Sequence, residues 1–294
     1  MLKRLSILAL LFASLCGCNS DGAPLEFLID NPTDSSITLS IDDHDYPVAA
    51  NAETPVQLSP GEHHLRSERL GDVRVIVYAR QRGGLINPTL SDYVVVINVY
   101  AIDEDKAKHF GARNVRVEFG DIAFHGPFKK THDLFIDKDW SFGVHEPFPD
   151  VLRVRHIDKI GGEMKSKIFA AIDFIHYMED ASGQSGEHLK HNPAGFQQPV
   201  YTLEPAPADL PPLDPDYEAH AGPLRKLYAR YLNATAADEQ VQLQKEIFKA
   251  DTAMRQTAES ASRKLSVQAR ETQEQFALAF MHVLSRSALV VPAR

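Results

Sequence analysis

Short runs of β-branched and aromatic residues dominate the first half of the chain, and they limit it to a strand-rich fold. Val73–Ala79 and Tyr93–Ile102 are such runs, and Ile37–Ile41 alternates apolar and polar side chains as a strand with one buried face does. Turn residues separate these runs at short intervals, a pattern that is typical of sandwiches and barrels. The sequence therefore predicts an antiparallel, β-sandwich-like domain, with a mixed segment at its C-terminal end, over residues 25–180.

The C-terminal region, residues 224–294, has a helical periodicity that the first half lacks. After a short helix at Leu224–Leu232, apolar or small residues recur from Val241 to about Ser285 at a mean spacing of about 3.6 residues, the period of a straight α-helix. The pattern predicts one long helix of about 68 Å, which forms a helical hairpin with the shorter one. Such a helix can pack against its own chain, or it can bind a protein partner or a second copy of the chain.

A proline-rich segment, residues 181–223, separates the two regions. Eight of the 18 prolines lie in it, and proline removes amide donors and stiffens the chain toward an extended form. We expect a linker, or an arm that lies over a domain. Just before this segment, the apolar positions of Ile168–Met178 favour a helix. The predicted fold class is therefore α+β: a β-rich domain, a proline-rich connector and a helical region.

The N-terminus has the features of an export signal. Met1–Arg4 is basic, and the apolar run Leu5–Leu15 that follows has the length of a secretory h-region and is too short to span a bilayer. The sequence Leu-Cys-Gly-Cys at residues 15–18 resembles the lipobox of bacterial lipoproteins. The resemblance implies that residues 1–17 form a signal peptide that is removed.

The lipobox resemblance assigns roles to three residues. Leu15 and Gly17 match positions that signal processing recognises, and Cys18 matches the cysteine that carries the lipid. Residues 18–24 then form a lipidated tether, and Asn19 favours the periplasmic face of the outer membrane. Because several acyl chains anchor a protein stably, the membrane is an expected partner through the N-terminal lipid. The alternatives are an ordinary signal peptide or a short buried helix.

Charge and cysteine content exclude several classes of function. The chain has 40 acidic and 31 basic residues, a formal net charge of −9, so it has no electrostatic footprint for nucleic acid. Its two cysteines, Cys16 and Cys18, both lie in the lipobox. If Cys16 leaves with the signal peptide and Cys18 is acylated, the mature chain has neither a disulfide nor thiol catalysis.

Residues 37–65 resemble small surface β-modules of the PEGA type. The shared pattern is a strand, a hairpin turn that contains aspartate, an extended strand, and Leu-x-Pro-Gly-x-His-x-Leu at residues 58–65. The resemblance implies a β-rich binding or spacer module outside the cytoplasm, and it carries no catalytic residue. Asp42–Asp45 within it resembles part of a calcium loop, but the glycine and the distal glutamate of that motif are missing, and a hairpin turn accounts for the sequence.

The 13 histidines form no recognisable metal-binding motif. His188 and His191 have a His-x-x-His spacing, but they lie in a loop flanked by glycine and proline, which does not preorganise ligands. His63 and His64 are neighbours in or beside a strand, so their side chains point to opposite faces. Gly83–Thr89 lacks the Lys-Ser/Thr of a phosphate-binding loop and is expected to be a flexible loop between strands. We therefore predict neither a metal site nor a cofactor.

Four aromatic residues, Tyr93, Trp140, Phe142 and Phe148, are candidates for a ligand-binding groove, because aromatic side chains supply contact area at low entropic cost. The alternative is that they complete the β core. The sequence contains no Gly-x-Ser-x-Gly nucleophile elbow beside them or elsewhere, and we predict no catalytic residue.

The expected function is that of a lipoprotein of the bacterial cell envelope that acts as a non-enzymatic binding or assembly module. Two alternatives stay open. The acidic chain suits an immunity or inhibitor lipoprotein that binds an exported toxin, and an exported hydrolase can assemble its active site from distant residues. A histidine within hydrogen-bond reach of a serine or an aspartate in a deep pocket would favour the hydrolase.

Overall fold

A computed structural model describes residues 21–111, 113–153, 161–187, 190, 196–261 and 267–292 of the chain. Within these residues there are 14 strands and 5 helices, with 32% of the described residues in strands and 30% in helices. The strands lie in several sheets whose neighbouring strands are mostly antiparallel. The predicted mixed α+β class is therefore confirmed.

Most strands of the first part of the chain lie in two sheets, and one of these sheets also contains a strand from the end of the chain. The four-stranded sheet has the order β12 (Phe135–Asp137), β7 (Gly84–Ile86), β1 (Leu25–Asn31) and β4 (Ala52–Leu58). The five-stranded sheet has the order β14 (Ala288–Val290), β6 (Gly71–Val77), β5 (Gly61–Ser67), β2 (Ile37–Ile41) and β3 (His44–Val48). Neighbouring strands are antiparallel, except that β1 and β7 run parallel.

The remaining strands form a three-stranded sheet and a hairpin. The three-stranded sheet has the antiparallel order β11 (Phe128–Thr131), β8 (Tyr93–Ala101) and β13 (Gly162–Ala170). The hairpin pairs β9 (Val115–Phe119) with β10 (Ile122–Gly126). The helices are α1 (Glu104–Ala107), α2 (Ala171–Ser182), α3 (Pro215–Tyr231), α4 (Ala237–Ala261) and α5 (Val267–Leu284).

The four-stranded sheet is covered on both faces, because its strands place apolar side chains on both sides. On one face, Phe27 shares a core with Leu65 of the five-stranded sheet. On the other face, Leu85 and Ile136 share a core with Tyr93 of the three-stranded sheet. Successive residues of a strand point to opposite faces, so β1 supplies side chains to both layers. The candidate site described below lies in the second of these layers.

The helical region contains two helices, α4 and α5, where the sequence predicted one long helix. The amide of Ala79 donates to Gln240 Oε1 in the first turn of α4 (2.8 Å), and Gln81 Nε2 donates to the carbonyl of Leu284 at the end of α5 (3.0 Å). A continuous helix would separate Gln240 from Leu284 by about 66 Å. The prediction of one long helix is therefore wrong, and α4 and α5 run in opposite directions.

The apolar stripe of α4 and α5 packs within its own chain. Leu243 and Ile247 of α4 and Phe276 and Phe280 of α5 are buried in one core together with Tyr228 of α3. Two helices that pack against a common core each need a stripe of period 3.6, so the spacing does not reveal where the chain reverses. Within the described residues, no helix combines the length and the apolar character that a membrane span requires.

Part of the proline-rich segment, predicted as a linker or an arm, packs against the helical core. Leu210 and Leu213 are buried in that core, and the amide of Ala206 donates to a carbonyl of β14 (2.8 Å). Helix α3 begins at Pro215, earlier than predicted, and proline is well suited to the first helical turn. Residues 181–223 are therefore not a linker throughout.

Three short segments differ from the prediction. Ile168–Met178, predicted as a helix, is divided between the end of β13 and the start of α2. Gly83–Thr89, predicted as a flexible loop, contains the buried strand β7. Ala288–Val290, within the predicted helical region, forms β14 and pairs with β6. Short apolar runs do not distinguish a strand from a helix, and β7 and β14 are too short to show a period.

Candidate functional site

A cluster of polar side chains lies between the four-stranded and three-stranded sheets. At its centre is Asp30, a fully buried carboxylate near the end of β1. Tyr93, at the start of β8, donates its hydroxyl hydrogen to Asp30 Oδ2. His145 Nε2 lies 2.8 Å from Asp30 Oδ1. Both oxygens of this buried carboxylate are therefore engaged, each by a side chain from a different part of the chain.

Glu53 completes this group, which we call the Asp30 cluster (Asp30, Glu53, Tyr93 and His145). Strands β1 and β4 pair in the register that places Glu53 directly opposite Asp30. One ligand atom each of Asp30, Glu53 and His145 lies within 4.8 Å of the other two. Carboxylates opposite each other on paired strands repel. The cluster therefore favours a nearby positive charge, which the Lys167 ammonium group supplies to Glu53 and which a bound cation would increase.

The loop that carries His145 is fixed by Lys167 of β13. The Lys167 side chain is buried, and its ammonium group donates to the carbonyls of Gly143 (2.7 Å), Val144 (2.7 Å) and Glu146 (2.6 Å). An ammonium group has three donors, and here all three bind this loop. Lys167 is therefore a positioning residue for His145.

Replacing Lys167 by methionine is expected to lower the free energy of unfolding by about 2 kcal/mol, because the change removes charge-assisted hydrogen bonds and leaves carbonyls unpaired. Hydrogen exchange of the loop amides should also become faster. The matched control is Lys165→Met on the same strand, since Lys165 binds Glu163 at 2.8 Å near the surface and its loss should cost less than about 1 kcal/mol. Equal losses in urea unfolding would contradict the positioning role.

The electrostatics of the Asp30 cluster agree with its geometry. Burial raises the pKa of Asp30, although hydrogen bonds from Tyr93 and His145 oppose the shift. Desolvation also raises the pKa of Glu53; His145 opposes this shift, and the Asp30 carboxylate adds to it. Burial and the neighbouring Asp30 raise the pKa of Tyr93 well above its ordinary value, so the phenol keeps its proton. Tyr93 is therefore a permanent hydrogen-bond donor to Asp30.

A cleft of about 400 Å³ opens beside the cluster. Glu53 and Glu146 supply carboxylates to its wall, Lys138 supplies an ammonium group and Trp140 supplies an aromatic surface. Glu53 belongs to both the cluster and the cleft, whereas Asp30 is buried. A molecule in this cleft would meet an acidic and partly aromatic surface.

This arrangement supports two kinds of chemistry. Asp30, Glu53 and His145 offer carboxylate oxygens and an imidazole nitrogen, which are donors that divalent metals such as Zn²⁺ bind. Without a metal, Asp30 can orient the imidazole of His145 so that the other ring nitrogen acts as a general base. Both roles use the closeness of Asp30 and His145, but a general base keeps their hydrogen bond, whereas a metal ion would replace it.

The four aromatic residues that were candidates for a groove have different surroundings. Trp140 lines the cleft, and Tyr93 is buried in the same core and binds Asp30. The rings of Phe142 and Phe148 lie 5.6 Å apart, and Phe148 packs 6.1 Å from Phe169, beside the core of α2. The structure thus brings Tyr93 and Trp140 to the site and places Phe142 and Phe148 in packing contacts.

The hairpin turn predicted at the aspartates is present, and the two neighbouring histidines have different contacts. Asp42 and Asp43 connect β2 and β3 with φ angles of 50° and 65°, and two successive positive φ angles are the mark of a type I′ hairpin turn. His63 Nδ1 lies 2.5 Å from Asp42 Oδ2, whereas the His64 ring lies 3.7 Å from Glu62. The two histidines therefore have different side-chain neighbours.

The signal segment, residues 1–17, lies outside the described residues, with Leu15, Cys16 and Gly17 in it, and so do Cys18, Asn19, His188 and His191. Conversely, the sequence analysis missed Asp30, Glu53 and His145. His145 is 115 residues from Asp30, so no local spacing connects them. One feature of the sequence could have indicated the site: Asp30 is a charged residue within the apolar run of β1, and a carboxylate in a buried strand needs a partner.

The Asp30 cluster is interpreted from its own geometry, since relatives do not supply a role for it. No protein-family model matches the chain, and no curated protein or solved structure matches it either.

Proposed function

We propose that this chain is a lipid-anchored protein of the bacterial cell envelope that works as a binding or assembly module, with the cleft beside the Asp30 cluster as its ligand site. The main support for the ligand site is that Glu53, Tyr93 and His145 all lie beside the buried carboxylate of Asp30. Buried carboxylates are rare unless they are paired. Trp140 and Glu146 extend this polar centre into an open cleft.

The N-terminal sequence supports the anchor. Cys18 matches the lipidated cysteine of the lipobox, and only residues 19–24 separate it from β1. A segment of this length spans at most about 20 Å when extended, so a lipid on Cys18 would keep the fold close to a bilayer. Asp21 in this segment forms an ion pair with Arg80 (2.5 Å), which ties the tether to the fold.

Replacing Cys18 by serine is expected to abolish incorporation of labelled palmitate and to release the protein from the membrane fraction, because the thioether that carries the lipid can no longer form. Cys16→Ser is the matched control, and it should leave labelling unchanged because the resemblance places Cys16 in the removed signal peptide. Labelling that persists in Cys18→Ser would contradict the anchor. Palmitate labelling and fractionation of cell envelopes measure both outcomes.

We also propose that the four-stranded and five-stranded sheets form a sandwich-like unit. Support comes from their shared core, in which Phe27 and Ile29 of one sheet cluster with Leu39 and Leu65 of the other. A unit of this kind presents loops at its ends. The Asp30 cluster lies on the face of the four-stranded sheet that points away from the five-stranded sheet.

The assembly part of the proposal concerns the C-terminal helices. Most of their apolar stripe is buried in the chain itself, but Phe248 of α4 and Leu278 and Met281 of α5 are exposed. Leu278 and Met281 lie one turn apart on the same helix face. A protein partner or a second copy of the chain would cover them. The net charge of −9 also suits a basic exported toxin as the partner of an immunity lipoprotein.

An exported hydrolase is the second candidate, and one contact favours it. His145 lies 2.8 Å from the buried Asp30, the arrangement that orients a general base. In the described part of the chain, however, no serine hydroxyl is hydrogen-bonded to His145. Turnover of an ester or amide substrate that is lost in His145→Gln would favour the hydrolase over the binding module.

A further inference from the structure

We propose that Asp30, Glu53 and His145 bind a divalent cation, with Zn²⁺ as the best match to their donor atoms. The proposal names the ligand class of the site proposed above and rests on that ligand site, but it does not depend on the lipid anchor. The three residues come from β1, β4 and the loop held by Lys167, so the fold rather than local sequence assembles the site.

The donor set fits a zinc ion with an open position. Zn²⁺ commonly takes three protein ligands from histidine nitrogen and carboxylate oxygen, with water or a ligand as the fourth. Ligand atoms bound at about 2.0–2.2 Å in a tetrahedron lie about 3.3–3.6 Å apart, and His145 Nε2 is 2.8 Å from Asp30 Oδ1. A small outward movement of the His145 side chain, which is 36% exposed, makes room for the ion.

The charge of the cluster also fits a divalent ion. Asp30 and Glu53 face each other across paired strands and bring two carboxyl groups to one point, and the Lys167 ammonium group also acts on Glu53. A divalent cation offsets the charges of both carboxylates. A metal binds the neutral imidazole through an unprotonated nitrogen, and Nε2 of His145 is the ring nitrogen that lies beside Asp30.

Neighbouring groups hold two of the three ligands, Asp30 and His145, in place without an ion. Tyr93 donates to Asp30 Oδ2 and leaves Oδ1 directed at His145. Lys167 fixes the carbonyls on both sides of His145. Hydrogen bonds of this kind orient the ligands of metal sites and raise metal affinity by about 10- to 100-fold. A chance group of surface carboxylates lacks such support.

Glu53 and His145 are exposed, and Glu53 also lines the cleft, so an ion bound to them would be accessible from solvent. Zinc sites with three protein ligands take water or a ligand with an oxygen or nitrogen donor as the fourth. The aromatic surface of Trp140 lies in the same cleft and offers contact area to such a ligand. The ion would thus bind the donor atom of the ligand directly.

The test is equilibrium dialysis of Zn²⁺ against the untagged full chain, purified in detergent and stripped with EDTA. We expect one tight site per chain. His145→Gln and Glu53→Gln, both at exposed positions, should weaken it about 100-fold or more, and Tyr93→Phe about 10- to 100-fold, as for the loss of an outer hydrogen bond. Saturating Zn²⁺ should raise the thermal midpoint of the wild-type chain but not that of His145→Gln.

His63→Gln is the matched control, because His63 binds Asp42 in the hairpin region, and this variant should bind Zn²⁺ like the wild-type chain. Equal affinity in His145→Gln and His63→Gln, or no tight site in the wild-type chain, would overturn the proposal. Cys18→Ser should keep full zinc affinity. A failed anchor and a failed metal site are therefore distinguishable.

Discussion

Replacing Phe174 by alanine is expected to lower the free energy of unfolding by about 3–5 kcal/mol, the cost of deleting a buried aromatic side chain. Phe174 is fully buried on α2. Its ring centroid lies 5.6 Å from that of Phe119, 5.3 Å from that of Phe124 and 5.0 Å from that of Phe128. These rings belong to three different strands, so they cannot collapse together into the cavity without moving the sheets.

Urea unfolding of Phe174→Ala and of Phe248→Ala measures this effect against a matched control. Phe248 lies on α4 with 52% of its surface exposed, so its replacement should change the free energy of unfolding by less than about 0.5 kcal/mol. Similar losses in the two variants would contradict the described core. Because α2 follows directly from β13, which carries Lys167, Phe174→Ala should also loosen the loop of His145.

Replacing Gly83 by alanine is expected to lower the free energy of unfolding by about 3–4 kcal/mol, the sum of left-handed backbone strain and overpacking. Gly83 has a φ angle of 72°, and a Cβ atom there would lie 1.9 Å from the backbone carbonyl oxygen of Glu26 in β1. A main-chain atom inside a sheet cannot move aside as a flexible side chain can. The substitution should therefore separate β7 from β1.

Gly71→Ala is the control that separates backbone strain from steric conflict. Gly71 has a φ angle of 70°, nearly that of Gly83, but no atom lies within 4 Å of the position of its Cβ. It should cost only the strain, about 1–2 kcal/mol. Thermal unfolding of the two variants compares them directly, and equal destabilisation would show that Gly83 is not in close contact with β1.

The strands with a clear period were predictable from the sequence, and so was one turn. The alternation in Ile37–Ile41 and the β-branched run in Tyr93–Ile102 became β2 and β8. The aspartates between β2 and β3 became a type I′ turn because aspartate tolerates positive φ. At β2, β8 and this turn, the conformation that the local sequence prefers is also the one that tertiary packing requires.

The elements that were missed depend on pairing with distant residues. Strands β7 and β14 have three residues each, and they are strands because β1, β12 and β6 supply hydrogen bonds. The reversal between α4 and α5 was also hidden, because an apolar stripe keeps its period when two successive helices pack against one core. Local patterns do not contain this information.

The candidate site was hidden for a related reason. Trp140 and Tyr93 were noticed for their aromatic character, but the polar contact of Tyr93 with Asp30 follows from the packing of two sheets. The opposition of Asp30 and Glu53 follows from strand register, which a single-residue shift would abolish. Only the tertiary structure brings these residues to one point.

The most direct measurement is X-ray diffraction at the zinc absorption edge from crystals of the full chain grown with Zn²⁺. One anomalous peak is predicted about 2.0–2.2 Å from Asp30 Oδ1, His145 Nε2 and a carboxylate oxygen of Glu53. Crystals that contain zinc elsewhere, with His145 still hydrogen-bonded to Asp30 and no peak among the three side chains, would contradict the central claim.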